Sequence, residues 1–249
     1  MKKAMYSVVA ALALLSASAA QAVTISYVFA VPNDGSGKTS VYAGAQNVYV
    51  ETFEGTNGNG GQTLSQNFLS ITPVSGGGFG YAQGNMEGIY AAPANDTTHF
   101  AYGPAQGSGT DSSEVNFNYA GLLASLGEGA SLNYFGLYYG SIDTFNDVIF
   151  YNAAGEVIQT VTGSQLINQF NGQSGNTQAD SSNIYVNLFF QPDEQFTSFS
   201  FRTTSHAFEV DNLVVGYEVP PPSVPEPASL ALIGLGIAGL GLARRRTKK

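Results

Sequence analysis

The chain has 249 residues, no cysteine and a formal net charge of −9, so disulfide staples, thiol catalysis and thiolate metal sites are all excluded. The charge is unevenly placed. Residues 23–224 carry 17 acidic side chains against two basic ones, Lys38 and Arg202, a balance of −15. Such a body repels nucleic acid and anionic lipid and draws cations.

Residues 1–22 read as a secretory signal peptide. Lys2 and Lys3 form the basic start, residues 4–15 the apolar stretch, and Ala20-Gln21-Ala22 the cleavage site, with Ala20 and Ala22 as its small residues. The mature chain then begins near Val23.

Residues 23–31 alternate, which puts Val23, Ile25, Tyr27, Phe29 and Val31 on one face of a half-buried strand. Pro32-Asn33-Asp34-Gly35 supplies a turn, and residues 47–54 a second strand. From 62 to 113 short apolar pieces are broken by Gly and Pro, which predicts long loops and short strands. Residues 114–119 form a strand and 120–126 one or two helical turns before Gly127. Strands at 131–139 and 147–151 are joined by residues 140–146, and Asn152 to Gly155 makes a hairpin into 156–162. Ser164 is the expected N-cap of a short helix over 165–170, and strands at 183–190, 196–203 and 207–219 complete the set.

With 30 Gly, 16 Phe and 14 Tyr and only 11% charged residues, this spacing predicts an all-β, jelly-roll-like antiparallel β-sandwich over residues 23–219. A stiff proline-rich linker follows at 220–227. Residues 228–243 carry no charge and read as a transmembrane helix of roughly 24 Å, slightly short of the hydrocarbon core. The basic residues at 244–249 stay cytoplasmic, leaving the β domain outside.

Three tail elements, namely Pro225-Glu226-Pro227, the apolar run and Arg244-Arg245-Arg246, resemble the PEP-CTERM sorting signal. The resemblance implies an exosortase as processing partner. It also implies export through the inner membrane of a Gram-negative bacterium that makes exopolysaccharide, with anchoring there before processing to the cell surface or medium. The body is similar to a family of such surface proteins through Tyr134 to Asn146, Val148 to Tyr151, Tyr185 to Phe190 and Ala207 to Leu213. That family carries no activity to transfer.

The first and last strands of the body each end in acids. Glu54 and Asp211, with Asn212 beside them, are similar to jelly-roll carbohydrate-binding modules in which acids on such strands share a structural calcium. Asp211-Asn212 equally suits a bulge or turn. Asp143 and Asn146 either fix the 140–146 turn through loop amides or line a ligand site. Tyr42, Tyr49, Tyr81, Tyr90, Tyr102, Tyr138 and Tyr139 either stack on sugar rings or fill the core. Carboxylate pairs such as Glu51/Glu54, Asp143/Asp147 and Asp193/Glu194 are what so acidic a chain makes by chance, although glycosidases use such pairs. His99 and His206 are too few for a zinc site. The expectation is a non-catalytic structural or adhesive protein of the surface or extracellular matrix, with calcium as its one cofactor. A lectin-like module for exopolysaccharide is the alternative, and a glycan-cleaving enzyme stands third.

Overall fold

The computed structural model describes residues 23–54, 68–128, 130–170 and 172–216. The signal peptide, the proline linker, the sorting motif, the apolar run and the basic tail lie outside the described residues. Among those described, no helix is long and apolar enough to cross a membrane.

Alternation sets the first half of the body. Strands β1 (Thr24–Ser26), β2 (Phe29–Ala30), β3 (Thr39–Ser40) and β4 (Val48–Glu51) are short. They are followed by β5 (Ser70–Gly76), β6 (Gly80–Ala82), β7 (Phe100–Gly103) and β8 (Ser113–Asn118), then by helix α1 (Ala120–Leu126). The second half holds β9 (Tyr134–Gly140), β10 (Asn146–Tyr151), β11 (Val157–Thr162), helix α2 (Gly163–Phe170), β12 (Ile184–Phe189), β13 (Ser198–Thr203) and β14 (Phe208–Gly216).

Two antiparallel sheets result, as the sandwich reading expects. The order β1-β12-β9-β14-β7-β6, with β4 also on β14, makes a seven-stranded sheet, and β11-β10-β13-β8-β5 a five-stranded one. Between them lies an aromatic core. Phe199 stands at its centre, 4.9 Å from Phe135, 5.2 Å from Phe201 and 5.3 Å from Phe117 between ring centroids. Truncating a buried ring of this kind costs about 3–5 kcal/mol.

The outer face of the seven-stranded sheet is also covered. On β9, Phe135, Leu137 and Tyr139 enter the main core, while Tyr134 and Tyr138 point outward into a second cluster with Tyr185, Phe189 and Val214. Gly136 lies between these outward tyrosines, where a Cβ would come within 2.5 Å of the Tyr185 hydroxyl and 2.6 Å of that of Tyr134. Both faces of β9, β12 and β14 are therefore buried, which is why they read as continuous apolar runs. The cover comes from the β2–β3 hairpin with residues 31–47 and from residues 83–99. Asn183 knots it down: its Oδ1 accepts from the Ala94 and Ser141 amides, each at 3.0 Å, and its Nδ2 donates to Asn176 and Ala179 carbonyls.

Several expectations are corrected. Val23 is buried, but Phe29 and Val31 are 43% and 73% exposed, because the chain leaves the sheet after Ser26 to enter the covering hairpin. Residues 140–146 join two strands as expected, and carry the chain from β9 in one sheet to β10 in the other. The cap of α2 is Thr162, whose Oγ1 accepts from the Gln165 amide at 3.1 Å, while Ser164 turns its hydroxyl to the Thr144 carbonyl.

Strand β14 holds the sheet's one central irregularity. Asp211 faces Tyr138 and Val214 faces Gly136, so three steps on β14 match two on β9. The extra residue is Asn212, at φ 45°, the left-handed conformation used by one class of β-bulge. Its Nδ2 donates to the Ser36 carbonyl and hydroxyl at 2.9 Å and to the Lys38 carbonyl at 3.0 Å. Asn212→Ala should leave these buried acceptors unpaired at a positive φ and lower stability by about 2–3 kcal/mol; urea unfolding measures it, and a loss under about 0.5 kcal/mol would refute the anchoring role.

Candidate functional site

The bulge keeps Phe208, Val210, Leu213 and Val215 inside the sandwich and sends Glu209 and Asp211 to the covered outer face. Each acid meets a different part of the covering layer.

Asp211 is fully buried, where its carboxyl meets the Asp96 carboxyl and the Asn212 backbone amide. Asp96 accepts at Oδ1 from the Thr98 amide and hydroxyl, at 2.8 and 2.7 Å, and its carboxyl also meets that of Asp211. Burial, then the charge of Asp96, pushes the Asp211 carboxyl well above the ordinary carboxylate range, and burial raises Asp96 as well. Two carboxyls facing each other in a dry site share a proton or need a cation.

Of the residues read as metal ligands, Asp211 lies buried against Asp96. Glu54 lies near enough for its charge to act on both aspartates, but its carboxylate is engaged by His99, accepting from the backbone N–H at 2.5 Å and lying 2.9 Å from Nδ1. Asn212 serves the bulge instead. Among the described residues no three His, Cys, Asp or Glu side chains converge to hold an ion. The donor set fits calcium in part: the facing Asp211 and Asp96 carboxyls supply hard oxygens, and backbone or solvent oxygens would have to complete the shell.

Glu209 opens on the second place, a cleft of about 430 Å³ lined by residues 85–91, Ser141, Asp143, Gly175, Thr177, His206 and Ala207. Its side chain is held from two loops, accepting at Oε1 from the Ala91 amide (2.9 Å) and at Oε2 from the Ser141 hydroxyl (3.0 Å). Asp143, from the inter-sheet crossover, accepts from the Ser174 hydroxyl at 2.9 Å and is also raised by burial. Asn146 does not reach the cleft: it is fully buried on β10 with its Nδ2 on the Ala207 carbonyl.

The other pairings come apart. Glu51 faces the inter-sheet core beside Tyr81 and Tyr119, and Asp147 pairs with Arg202 at 2.5 Å on the five-stranded sheet. Of the tyrosines read as sugar platforms, Tyr102, Tyr138 and Tyr139 are buried, and Tyr42, Tyr49, Tyr81 and Tyr90 are half-buried. Glu209 and Asp96 were not singled out as site residues. The available signal for Glu209 was its place two residues before Asp211, on the same strand face. Asp96 had none, since it sits in an irregular loop.

Residues 223–246 match the PEP-CTERM protein-sorting motif. The tail is therefore a PEP-CTERM signal, which marks an exported, surface-directed protein anchored in the membrane before processing by exosortase. No curated protein matches the chain. Among solved structures it is similar to the K1 cleaved adhesin domain of Lys-gingipain from Porphyromonas gingivalis W83, at 12% identity over 69% of this chain and 99% of that one, with a TM-score of 0.34. It is also similar to the lectin binding domain of Lectinolysin, at 11% identity over 58% of this chain and 94% of that one, TM-score 0.31. A third likeness is to the CBM22-1–GH10 modules of Clostridium thermocellum xylanase 10B, at 12% identity over 70% of this chain and 29% of that one, TM-score 0.33. At these TM-scores the likenesses are remote, and the architecture stands on the strand pairing itself.

Burial first, with the charge of Asp143 adding to it, pushes the Glu209 carboxyl up to about 7 from its ordinary 4.5 against the hydrogen bonds from Ala91 and Ser141. Across that window the native state keeps a proton that the unfolded chain releases, so this group's contribution to stability falls as pH rises. Relative to the wild type, Glu209→Gln should gain on the order of 3 kcal/mol between pH 4.5 and pH 8. Urea unfolding of both proteins across that range checks it, and a pH-independent difference would exclude a buried, proton-holding Glu209.

Proposed function

We propose that the protein is a non-catalytic component of the cell surface or extracellular matrix of a Gram-negative bacterium, with a structural or adhesive role. The observation that carries this reading is the sorting tail at residues 223–246 joined to an aromatic sandwich. In a chain expressed in an exosortase-bearing host, replacing Pro225, Glu226 and Pro227 by alanine should hold the protein in the membrane fraction. The wild type should stay there too when the exosortase is deleted. Equal release from all three strains would overturn sorting through this tail.

Calcium is the cofactor this reading includes. Asp211 and Asp96 would hold it, with Glu54 behind them, and the ion would supply the positive charge that two facing buried carboxyls lack. At about a hundredfold over its dissociation constant, calcium would stabilise the native state by about 2.7 kcal/mol, or roughly 5–10 °C in a domain of this size. Chelated protein purified from the producing cells should show that rise on calcium addition, and Asp211→Asn should abolish it. An unchanged melting temperature in the wild type removes the ion.

A second reading, a saccharide-binding module for exopolysaccharide, is favoured by one observation, the acid-lined cleft of about 430 Å³. That volume lies within the range of pockets that enclose small ligands, roughly 300–1,000 Å³.

A further inference from the structure

We propose that this cleft is a binding site for a neutral, hydroxyl-rich saccharide, and that it selects against uronates, sulfates and phosphates. The proposal rests on the saccharide-binding reading and gives it a place and a charge preference.

The cleft lies where loops gather at one end of the seven-stranded sheet. Residues 85–91 form one wall, the crossover residues Ser141 and Asp143 a second, Gly175 and Thr177 a third, and the turn into β14 the fourth. Loops set on a rigid sheet are where sandwiches place recognition. Glu209 belongs to the central strand and is 3% exposed. It is fixed by donors from two separate loops, so its orientation is set before any ligand arrives. Its carboxyl keeps hydrogen-bonding capacity beyond the two bonds it already accepts. Asp143 is held in the same way by Ser174, with Gly175 packed so close that a Cβ there would come within 2.9 Å of its Oδ1. Both acids present fixed acceptors to hydroxyl donors.

Two further wall groups lack what a ligand would bring. His206 lies 3.4 Å from Asp111 through Nε2 but keeps Nδ1 buried with no partner. Tyr90 is half-buried, its ring 4.3 Å from that of Tyr102 and 5.8 Å from that of Phe100, which makes it a stiff apolar surface of the kind a pyranose C–H face packs against.

Charge decides the class. The ionisable lining groups are Glu87, Asp143, Glu209 and His206, with no lysine or arginine among them. Both basic side chains of the body are engaged elsewhere, Lys38 with Asp180 and the Asn183 carbonyl, Arg202 with Asp147. An anionic sugar would enter among acidic groups with no lysine or arginine to offset its charge. Because no three of the acidic and histidine groups converge, the lining suits a ligand with several spaced donors rather than a single ion.

The test is binding of neutral, uronate-containing and sulfated oligosaccharides to the wild type and to three variants, read by glycan array and calorimetry. Thr177→Trp fills the rim, Asp143→Asn removes one acceptor charge, and Glu209→Gln alters the fixed floor. Melting temperatures are recorded for each, so that the two rim variants remain informative if Glu209→Gln fails to fold. Neutral glycans should bind the wild type, and Thr177→Trp and Asp143→Asn should weaken binding at least tenfold without loss of thermal stability. The exposed Asp193→Asn should bind normally. Binding that survives all three variants overturns the cleft but leaves the saccharide reading standing. A preference for uronate or sulfate overturns the charge selection. No binding to any glycan overturns the saccharide reading itself.

Discussion

One inserted residue, Asn212, governs the central strand. Side chains on a strand alternate faces, so a one-residue shift exchanges inside for outside. Phe208 and Val210 face the inter-sheet core, and without the bulge Val214 would follow them there while Leu213 and Val215 pointed out. The extra residue reverses that. Leu213 and Val215 stay in the main core and Val214 joins the outer cluster. At the same point β14 changes neighbours on one flank, from β7 along Phe208–Val210 to β4 along Leu213–Gly216. The amide of Asn212 then ties residues 36–38 to the sheet. A single left-handed residue thus sets the core register, the strand exchange and the anchoring of the cover.

The cover explains how an acidic body with two basic residues accommodates them. Lys38 is 8% exposed, donates to the Asn183 carbonyl and Asp180, and stands 5.1 Å from the Phe29 ring and 5.8 Å from that of Tyr138. Its charge therefore holds the covering layer and leaves the solvent-facing surface almost wholly acidic. The tyrosine hydroxyls beneath the cover are paired in the same spirit. Tyr134 donates to Asn187 at 2.7 Å, Tyr185 to the Asn212 carbonyl at 3.0 Å, and Tyr138 to the Ala94 carbonyl. A buried phenol is much cheaper to keep in a dry layer when its hydroxyl finds such a partner. That pairing holds these tyrosines beneath the cover, where they offer no platform to a sugar.

Much of the fold was legible because local pattern and tertiary role agree. The helix at 120–126, the 152–155 hairpin and the strands at 114–119, 183–190 and 196–203 all lie where alternation and turn residues put them. What alternation could not show was the second buried face. Tyr134, Tyr138 and Tyr185 sit at positions that a one-sided sheet would leave in solvent, and only the three-dimensional cover buries them. The crossover at 140–146 resembles a hairpin loop in length, and nothing local distinguishes a chain that turns back from one that changes sheets. At the candidate site, Asp211 and Asp143 could be found from strand ends and loop acids. Asp96 could not, since it lies in a loop 115 positions from Asp211 in sequence, and Glu209 offered only its shared strand face with Asp211, in a run dominated by core residues.

The two acid sites are mechanically joined. Glu209 and Asp211 share one face of β14, and both reach into the covering segment of residues 83–99. Ala91 supplies the amide that holds Glu209, and Asp96 supplies the carboxyl beside Asp211. Between them, Ala94 fixes the segment to Asn183 through its amide and to Tyr138 through its carbonyl. A cation held by Asp96 and Asp211 would relieve the repulsion at one end of this short segment and fix its position against the sheet. The same restraint, carried over five residues of tethered backbone, sets where the Ala91 amide stands and so how Glu209 is presented to the cleft. In a chain without disulfides, an ion at the bulge would therefore act on the ordering of the ligand wall as well as on the closure of the sandwich.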